Sequence, residues 1–255
     1  MGTSVGGKII TDGLVIHLDA LNGKSYPGSG TSWIDLTPYN NTGDLDNGNN
    51  PVTIANGYAS FTDTSNDRYV DLDSVGEVNE NTQYATVDMW VKLKGPTSTS
   101  GVEKGYIFGW NAYSVQVRYN NGLLEKFGFT TNTNDVYGFE NPILSSLNLI
   151  DNWKHYSFVM CDYGNSSIPQ SEQKIYINGV AQSMSLITIL GESPSFRVFS
   201  YNPTSLARFP GNRFSGGNNY LLNTDIALVK VYNRELTQEE VTQNFNAHKG
   251  RFNIY

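Results

Sequence analysis

Ala85-Thr86-Val87-Asp88-Met89-Trp90-Val91-Lys92-Leu93 alternates from one end to the other. Ala85, Val87, Met89, Val91 and Leu93 fall on one side of an extended chain, a period of two that reads as a half-buried strand. The same alternation appears upstream in Leu14-Val15-Ile16-His17-Leu18-Asp19, and short strands are expected at 58–61 and 69–72. Downstream, strands are expected at 106–110, 114–119, 126–130, 155–161, 174–177, 196–200 and 226–232. Asn121-Gly122 and Asn178-Gly179 sit where tight hairpins need positive φ at two successive residues. Roughly ten short strands with polar punctuation describe a sandwich or jelly roll.

One helix is expected, over about 237–249. Thr237 can cap it, Glu240 completes a capping box, and Val241, Phe245 and His248 share one face. Residues 1–11 read as a flexible, Gly-rich lead-in, and 12–255 as a single domain with no internal repeat.

Composition agrees. Of the 255 residues 13% are aromatic and only 16% charged, fewer charges than the usual quarter. The net charge is -7 and Lys and Arg form no cluster, so nucleic-acid binding through phosphates is not expected. The start, Met1-Gly2-Thr3-Ser4-Val5-Gly6-Gly7-Lys8, lacks an apolar core of signal-peptide length. No stretch approaches the ~20 apolar residues of a membrane span. A soluble protein made in a cytoplasm is expected. Cys161 is the single cysteine, which excludes an intrachain disulfide.

Three blocks carry a resemblance. The first is Gly13-Leu14-Val15-Ile16-His17-Leu18-Asp19-Ala20, followed by Ser25-Tyr26-Pro27-Gly28-Ser29-Gly30-Thr31-Ser32-Trp33-Ile34-Asp35-Leu36. The second comprises Val87–Val91, Trp153–Val159 and Lys174–Gly179; the third runs from Asp225 through Leu236 into the helix. Together they resemble the laminin-G-like, concanavalin-A-like jelly rolls of bacteriophage virion structural proteins and bacterial surface proteins. The resemblance implies an all-β, two-sheet jelly-roll β-sandwich with one short C-terminal helix. It further implies a virion protein, assembled in the host cytoplasm, whose partners are other virion proteins. Family members often carry two acidic residues where this chain has Ala227 and Leu228, so no acidic or metal role transfers there.

Residues that could carry chemistry are sparse. Glycoside hydrolysis needs two carboxylates facing one another at about 5–10 Å. Asp71 and Asp73 read as solvated loop-edge charges, and Asp88 points outward with no acidic partner two residues away. His17, His155 and His248 stand in ordinary strand and helix contexts, with no nucleophile elbow nearby. Asp63, Asn66 and Asp67, or Asp44, Asp46 and Asn49, have the ligand types of calcium. Turns favour Asp and Asn on backbone grounds alone, so no metal and no cofactor are assigned.

Glycan contact needs exposed rings with amides beside them. Trp110, Tyr113, Asn132, Asn134 and Tyr137 are the richest such group, with 208–214 a second region. The closing Arg251-Phe252-Asn253-Ile254-Tyr255 concentrates large apolar side chains at a terminus, so Arg251, Phe252, Ile254 and Tyr255 are expected to contact a neighbouring subunit. The reading is a non-enzymatic virion structural protein (capsid decoration, fibre or baseplate-associated) contacting host surface polysaccharide. The alternatives are a free-standing carbohydrate-binding module and a glycoside hydrolase of the same fold.

Overall fold

The computed structural model describes residues 7–46, 51–62, 68–72, 75–79, 81–110, 113–130, 136–161, 170–187, 207–211 and 222–254. The early strands are β1 (Leu14–Asp19), β2 (Ser32–Trp33), β3 (Gly43–Asp44), β4 (Ile54–Ala55), β5 (Tyr58–Phe61) and β6 (Val70–Leu72). The long central ones are β7 (Tyr84–Leu93), β8 (Val102–Trp110), β9 (Tyr113–Asn120), β10 (Leu123–Thr130) and β11 (Val136–Glu140). After helix α1 (Ile143–Leu147) come β12 (Trp153–Cys161), β13 (Lys174–Ile177), β14 (Val180–Ala181) and β15 (Ser185–Ile187). Then follow β16 (Ala207–Phe209), β17 (Thr224–Tyr232) and helix α2 (Gln238–His248).

The strands form two antiparallel sheets. Sheet A runs β14-β13-β12-β7-β17-β5-β4, with β1 also on β17; sheet B runs β15-β11-β10-β9-β8-β16-β6-β3-β2. Inward residues of both meet in one core. Val87, Met89 and Val91 of β7 and Tyr156 and Phe158 of β12 face Val115, Val117, Phe127 and Phe129. Phe127 stacks on Tyr156 across the sandwich with ring centroids 5.6 Å apart. The two Asn-Gly turns have the expected positive φ, 47° and 82° at Asn121-Gly122 and 51° and 79° at Asn178-Gly179. The strand expected at 196–200 lies outside the described residues.

Helix α2 begins as its sequence predicts. Thr237 Oγ1 accepts from Glu240 N, and the Glu240 carboxylate accepts from Thr237 N. Its buried residues are Val241 and Asn244, whereas Phe245 is half-buried on the Trp90 ring at 5.9 Å.

The helix covers the outward face of sheet A, and this changes the meaning of Asp88. Asp88 does point outward, but it is fully buried. Its register neighbours are Ser157 on β12 and Lys230 on β17. The carboxylate accepts from Lys230 Nζ at 2.5 Å, from Ser157 Oγ at 2.7 Å and from Asn244 Nδ2 of α2 at 3.4 Å, and it sits 2.9 Å from His155 Nε2. Burial alone would raise this carboxyl; His155 and Lys230 more than reverse that and hold it well below the usual carboxylate range.

The described residues nearest the two ends are likewise held by the domain itself. Residues 7–11, expected to be flexible, are tied down. Ile10 N donates to Asn244 Oδ1 at 2.9 Å, Tyr232 Oη to Ile10 O at 3.0 Å, and Gln243 Nε2 to Lys8 O at 2.7 Å. The tail, expected to dock on a neighbour, folds back on sheet A. Phe252 stacks on Trp90 with centroids 4.0 Å apart, and Ile254 packs on the same cluster of Trp90, Ala227 and Leu228. Arg251 donates to Asp19 Oδ1 at 2.6 Å and to Gly57 O at 2.7 Å. Tyr255 lies outside the described residues.

Two outcomes are expected. Lys230→Met leaves Asp88 as an uncompensated buried charge and should cost about 3–5 kcal/mol in denaturant unfolding, with an unchanged value refuting the pairing. Burial and the Lys230 ammonium push His17 down to about 4, and the same two causes, in the same order, push His248 down to about 4. A histidine depressed in the folded state stabilises fully above its unfolded value near 6.5. That stability should be lost as pH falls from about 6.5 to about 4. Urea midpoints across this window should fall less steeply for His17→Gln/His248→Gln than for the parent chain.

Candidate functional site: the outward face of sheet B

With the outward face of sheet A roofed by α2 and the tail, sheet B offers the other broad face. Register determines which residues share it. Across β8, β9, β10 and β11, Lys104, Arg118, Lys126 and Glu140 are successive partners. The next row is Tyr106, Gln116, Gly128 and Gly138. Beyond it lie Asp71, Arg208, Gly109, Ser114 and Thr130. The intervening residues Val115, Val117, Phe127 and Phe129 belong to the core, so these three rows point away from it.

The middle row has a bare floor. A Cβ on Gly138 would lie 2.1 Å from Phe127 O, and one on Gly128 would lie 2.4 Å from Tyr137 O. The backbones of β10 and β11 approach too closely for any side chain at either position. Beside this floor, Gln116 is fully buried and Ser114 nearly so. Among the described residues, neither the Gln116 amide oxygen, the amide nitrogen nor Ser114 Oγ has a hydrogen-bond partner. Unmet donors and acceptors of this kind each cost about 1–3 kcal/mol unless water or a ligand satisfies them.

Charge lies along the two flanks. Arg118 Nε is 2.8 Å from Glu125 Oε2, close enough for an ion pair although poorly aligned for a hydrogen bond. Asn120 Nδ2 donates to Glu125 Oε1 at 3.2 Å. On the opposite flank Arg208 grips Asp71 with two donors, at 2.6 and 2.9 Å, and its guanidinium lies 3.4 Å from the centre of the Tyr69 ring. Asp71 is therefore a paired strand residue, not the solvated loop-edge charge its sequence context implies. Asp73 lies outside the described residues.

The residues singled out from sequence fall on the other side of these strands or outside the description. Trp110 is buried in the core, its ring 6.1 Å from Phe108, and so offers no face to a sugar. Tyr137, paired with Phe129, packs against the same core. Asn132 and Asn134 lie outside the described residues, as does the side chain of Tyr113. Of the second region, Phe209 is core and Arg208 faces outward. Of the calcium-type residues, Asp63, Asn66, Asp67 and Asn49 are outside the description, and the described residues contain no metal-type cluster. Sequence did carry the signal for this outward face. In Ser114-Val115-Gln116-Val117-Arg118 the polar residues alternate with the core ones, but aromatic richness drew attention to the inward positions.

Residues 63–242 match the family model described as the concanavalin A-like lectin/glucanases superfamily. The chain belongs to this superfamily. No curated protein matches its sequence. Solved structures place the lectin-like sandwich in varied company. A Trypanosoma rangeli sialidase in complex with 2,3-difluorosialic acid has a TM-score of 0.58 at 13% identity, covering 94% of this chain and 34% of that one. The binding domain of Paraclostridial Mosquitocidal Protein 1 has a TM-score of 0.55 at 16% identity, covering 92% and 52%. The receptor binding domain of botulinum neurotoxin C/D mosaic serotype has a TM-score of 0.52 at 13% identity, covering 91% and 51%. This superfamily member thus spans a third to a half of the length of these proteins, and such identities show the shared fold alone.

The glycine floor is a requirement of the lectin-like sheet. Gly138→Ala should destabilise the domain by about 1–3 kcal/mol or more, because the new methyl group meets backbone that cannot step aside. A thermal midpoint equal to the parent's would show that β10 and β11 separate easily.

Proposed function

We propose that the chain is a non-enzymatic structural protein of a bacteriophage particle, presenting its lectin-like sandwich to polysaccharide on the host surface. The observation that carries the glycan part is the outward face of sheet B. Its Gln116 amide and Ser114 hydroxyl are buried and without a hydrogen-bond partner among the described residues, beside a floor without side chains, and the flanking Arg118 is half-buried. Sugar hydroxyls donate and accept at once, and a primary amide does the same. The similar folds include domains that are named as binding or receptor-binding units.

The non-enzymatic part is supported by how carboxylates are used. Asp71 is held by Arg208 and Asp88 by Lys230; Asp225 lies 2.6 Å from Lys94 Nζ and 3.4 Å from Lys92 Nζ. A glycosidase needs one carboxyl kept protonated near neutrality. Of the three, Asp88 is held well below the usual carboxylate range by His155 and Lys230 in spite of its burial. The virion part is supported by the resemblance of the opening and closing blocks to phage structural proteins, and by a negative charge that suits a soluble, displayed face.

Three measurements test the reading. Antiserum to the chain should label intact phage particles. Host surface polysaccharide should retain the purified chain, with Arg118→Ala weakening retention about tenfold, the loss of roughly one charge-assisted contact. Incubation with that polysaccharide should release no reducing ends. Particles free of the chain would refute the virion role. Retention unchanged by Arg118→Ala would refute the assigned face. Reducing ends that disappear in Asp71→Asn would refute the non-enzymatic reading.

A further inference from the structure

A second recessed site lies on another part of the domain, where β7 begins and β17 turns into α2. It is an open hollow of about 390 Å³, bordered by Glu77, Asn81, Gln83, Tyr84, Arg234 and Glu235. This volume falls within the roughly 300–1,000 Å³ of small-molecule sites, near the lower end.

The groups around it divide into spent and free. Arg234 is spent: it donates to both oxygens of Glu240, at 2.7 and 2.8 Å, and lies 2.9 Å from Asp12 Oδ2. Glu235 accepts from Lys174 Nζ at 2.5 Å, and Glu77 Oε2 accepts from Asn41 Nδ2 at 2.9 Å. The free groups are neutral. The side-chain amides of Asn81 and Gln83 are exposed and have no side-chain hydrogen bond among the described residues. The Tyr84 hydroxyl is in the same position, at the end of a half-buried ring packed against the cluster of Val159, Tyr176, Tyr232, Leu236 and Val241. Two amides, a phenol and a fixed ring edge thus converge on a hollow whose cation is neutralised by its own neighbours.

We propose that this hollow binds one uncharged pyranose unit, as a sugar site separate from the face of sheet B. The Tyr84 ring supplies apolar contact for sugar C–H groups, and the Asn81 and Gln83 amides take neighbouring hydroxyls as combined donors and acceptors. A uronic acid is disfavoured, because Arg234 is already saturated and Glu77 and Glu235 present carboxylates. The site does not depend on the sheet B proposal, since the two share no residue.

The test is a two-dimensional NMR titration of the isotope-labelled full chain. The probes are methyl glucopyranoside, methyl galactopyranoside and methyl N-acetylglucosaminide, each compared with glucuronate. At least one neutral glycoside should give saturable shifts of the Asn81 and Gln83 side-chain amides, with glucuronate binding at least tenfold more weakly. Tyr84→Ala should weaken that binding at least tenfold. Because Tyr84 also packs against the domain, Asn81→Ala/Gln83→Ala provides a second variant on exposed residues and should show a comparable loss. Saturable shifts that survive in the double variant, equal binding of glucuronate, or no saturable shift with any neutral glycoside would overturn the proposal. Shifts at Arg118 and Asn120 in the same spectra report sheet B separately, so the two sites can fail independently.

Discussion

The carboxylate of Asp88 is the constraint around which one side of the molecule is organised. An ionised group without water must be met by charge and hydrogen bonds on every side, or it costs several kcal/mol. Here the partners come from different elements: Lys230 from β17, His155 and Ser157 from β12, Asn244 from α2. None of these elements can leave without exposing a charge that the others cannot satisfy. Asn244 passes the constraint on, because its amide also donates to Tyr232 Oη and its oxygen accepts from Ile10 N. The helix, the last strand of the sandwich and the N-terminal lead-in thus form one linked unit over sheet A.

The two ends of the chain meet through the same logic. Asp19, at the end of β1, receives the Arg251 guanidinium, and Ala20 N donates to Ala227 O at 3.0 Å. The loop that follows β1 is built around Asp35, which accepts from His17 N, Thr37 N, Thr37 Oγ1 and Asn41 N. The opening and closing sequence blocks are therefore parts of one structural device. Ala227 and Leu228 also find their reason here. They form the apolar pad beneath Phe252 and Ile254, where acidic residues would be buried against aromatic rings.

Much of this is legible in the sequence. A period of two identifies a strand and its inward face because side chains alternate across a pleat. Asn-Gly marks hairpins because few residues tolerate successive positive φ, and the capping box marks where α2 starts. What alternation cannot say is what lies outside the sheet. Asp88 was correctly placed outward, yet outward here means beneath a helix. Trp110 and Tyr137 looked like exposed ligand-binding aromatics because turn-rich surroundings suggest a surface, but their strand parity sends both rings inward. Asp71 has its partner Arg208 137 positions away, a separation that no local pattern reveals. The tail is the same case, since its pad is assembled from β7 and β17.

These constraints divide the work between the two sheets. Sheet A spends Asp88, Lys230 and Ser157 on holding the chain ends, and its titrations bear on stability, although Trp90 Nε1, His155 Nδ1 and Tyr156 Oη have no hydrogen-bond partner among the described residues. Sheet B retains unspent capacity at its centre, in Gln116 and Ser114, next to glycines fixed by the approach of two backbones. A rigid floor loses little conformational freedom when something settles on it, which is the condition for recognition by several weak contacts. Chemistry asks for something different: a carboxyl or imidazole poised to exchange a proton near neutrality. Asp88 is instead held well below the usual carboxylate range by His155 and Lys230 despite its burial, and His17 and His248 are pushed down by burial. Asp88 is thus committed to holding elements together, while the buried Gln116 amide keeps donors and acceptor without a partner among the described residues.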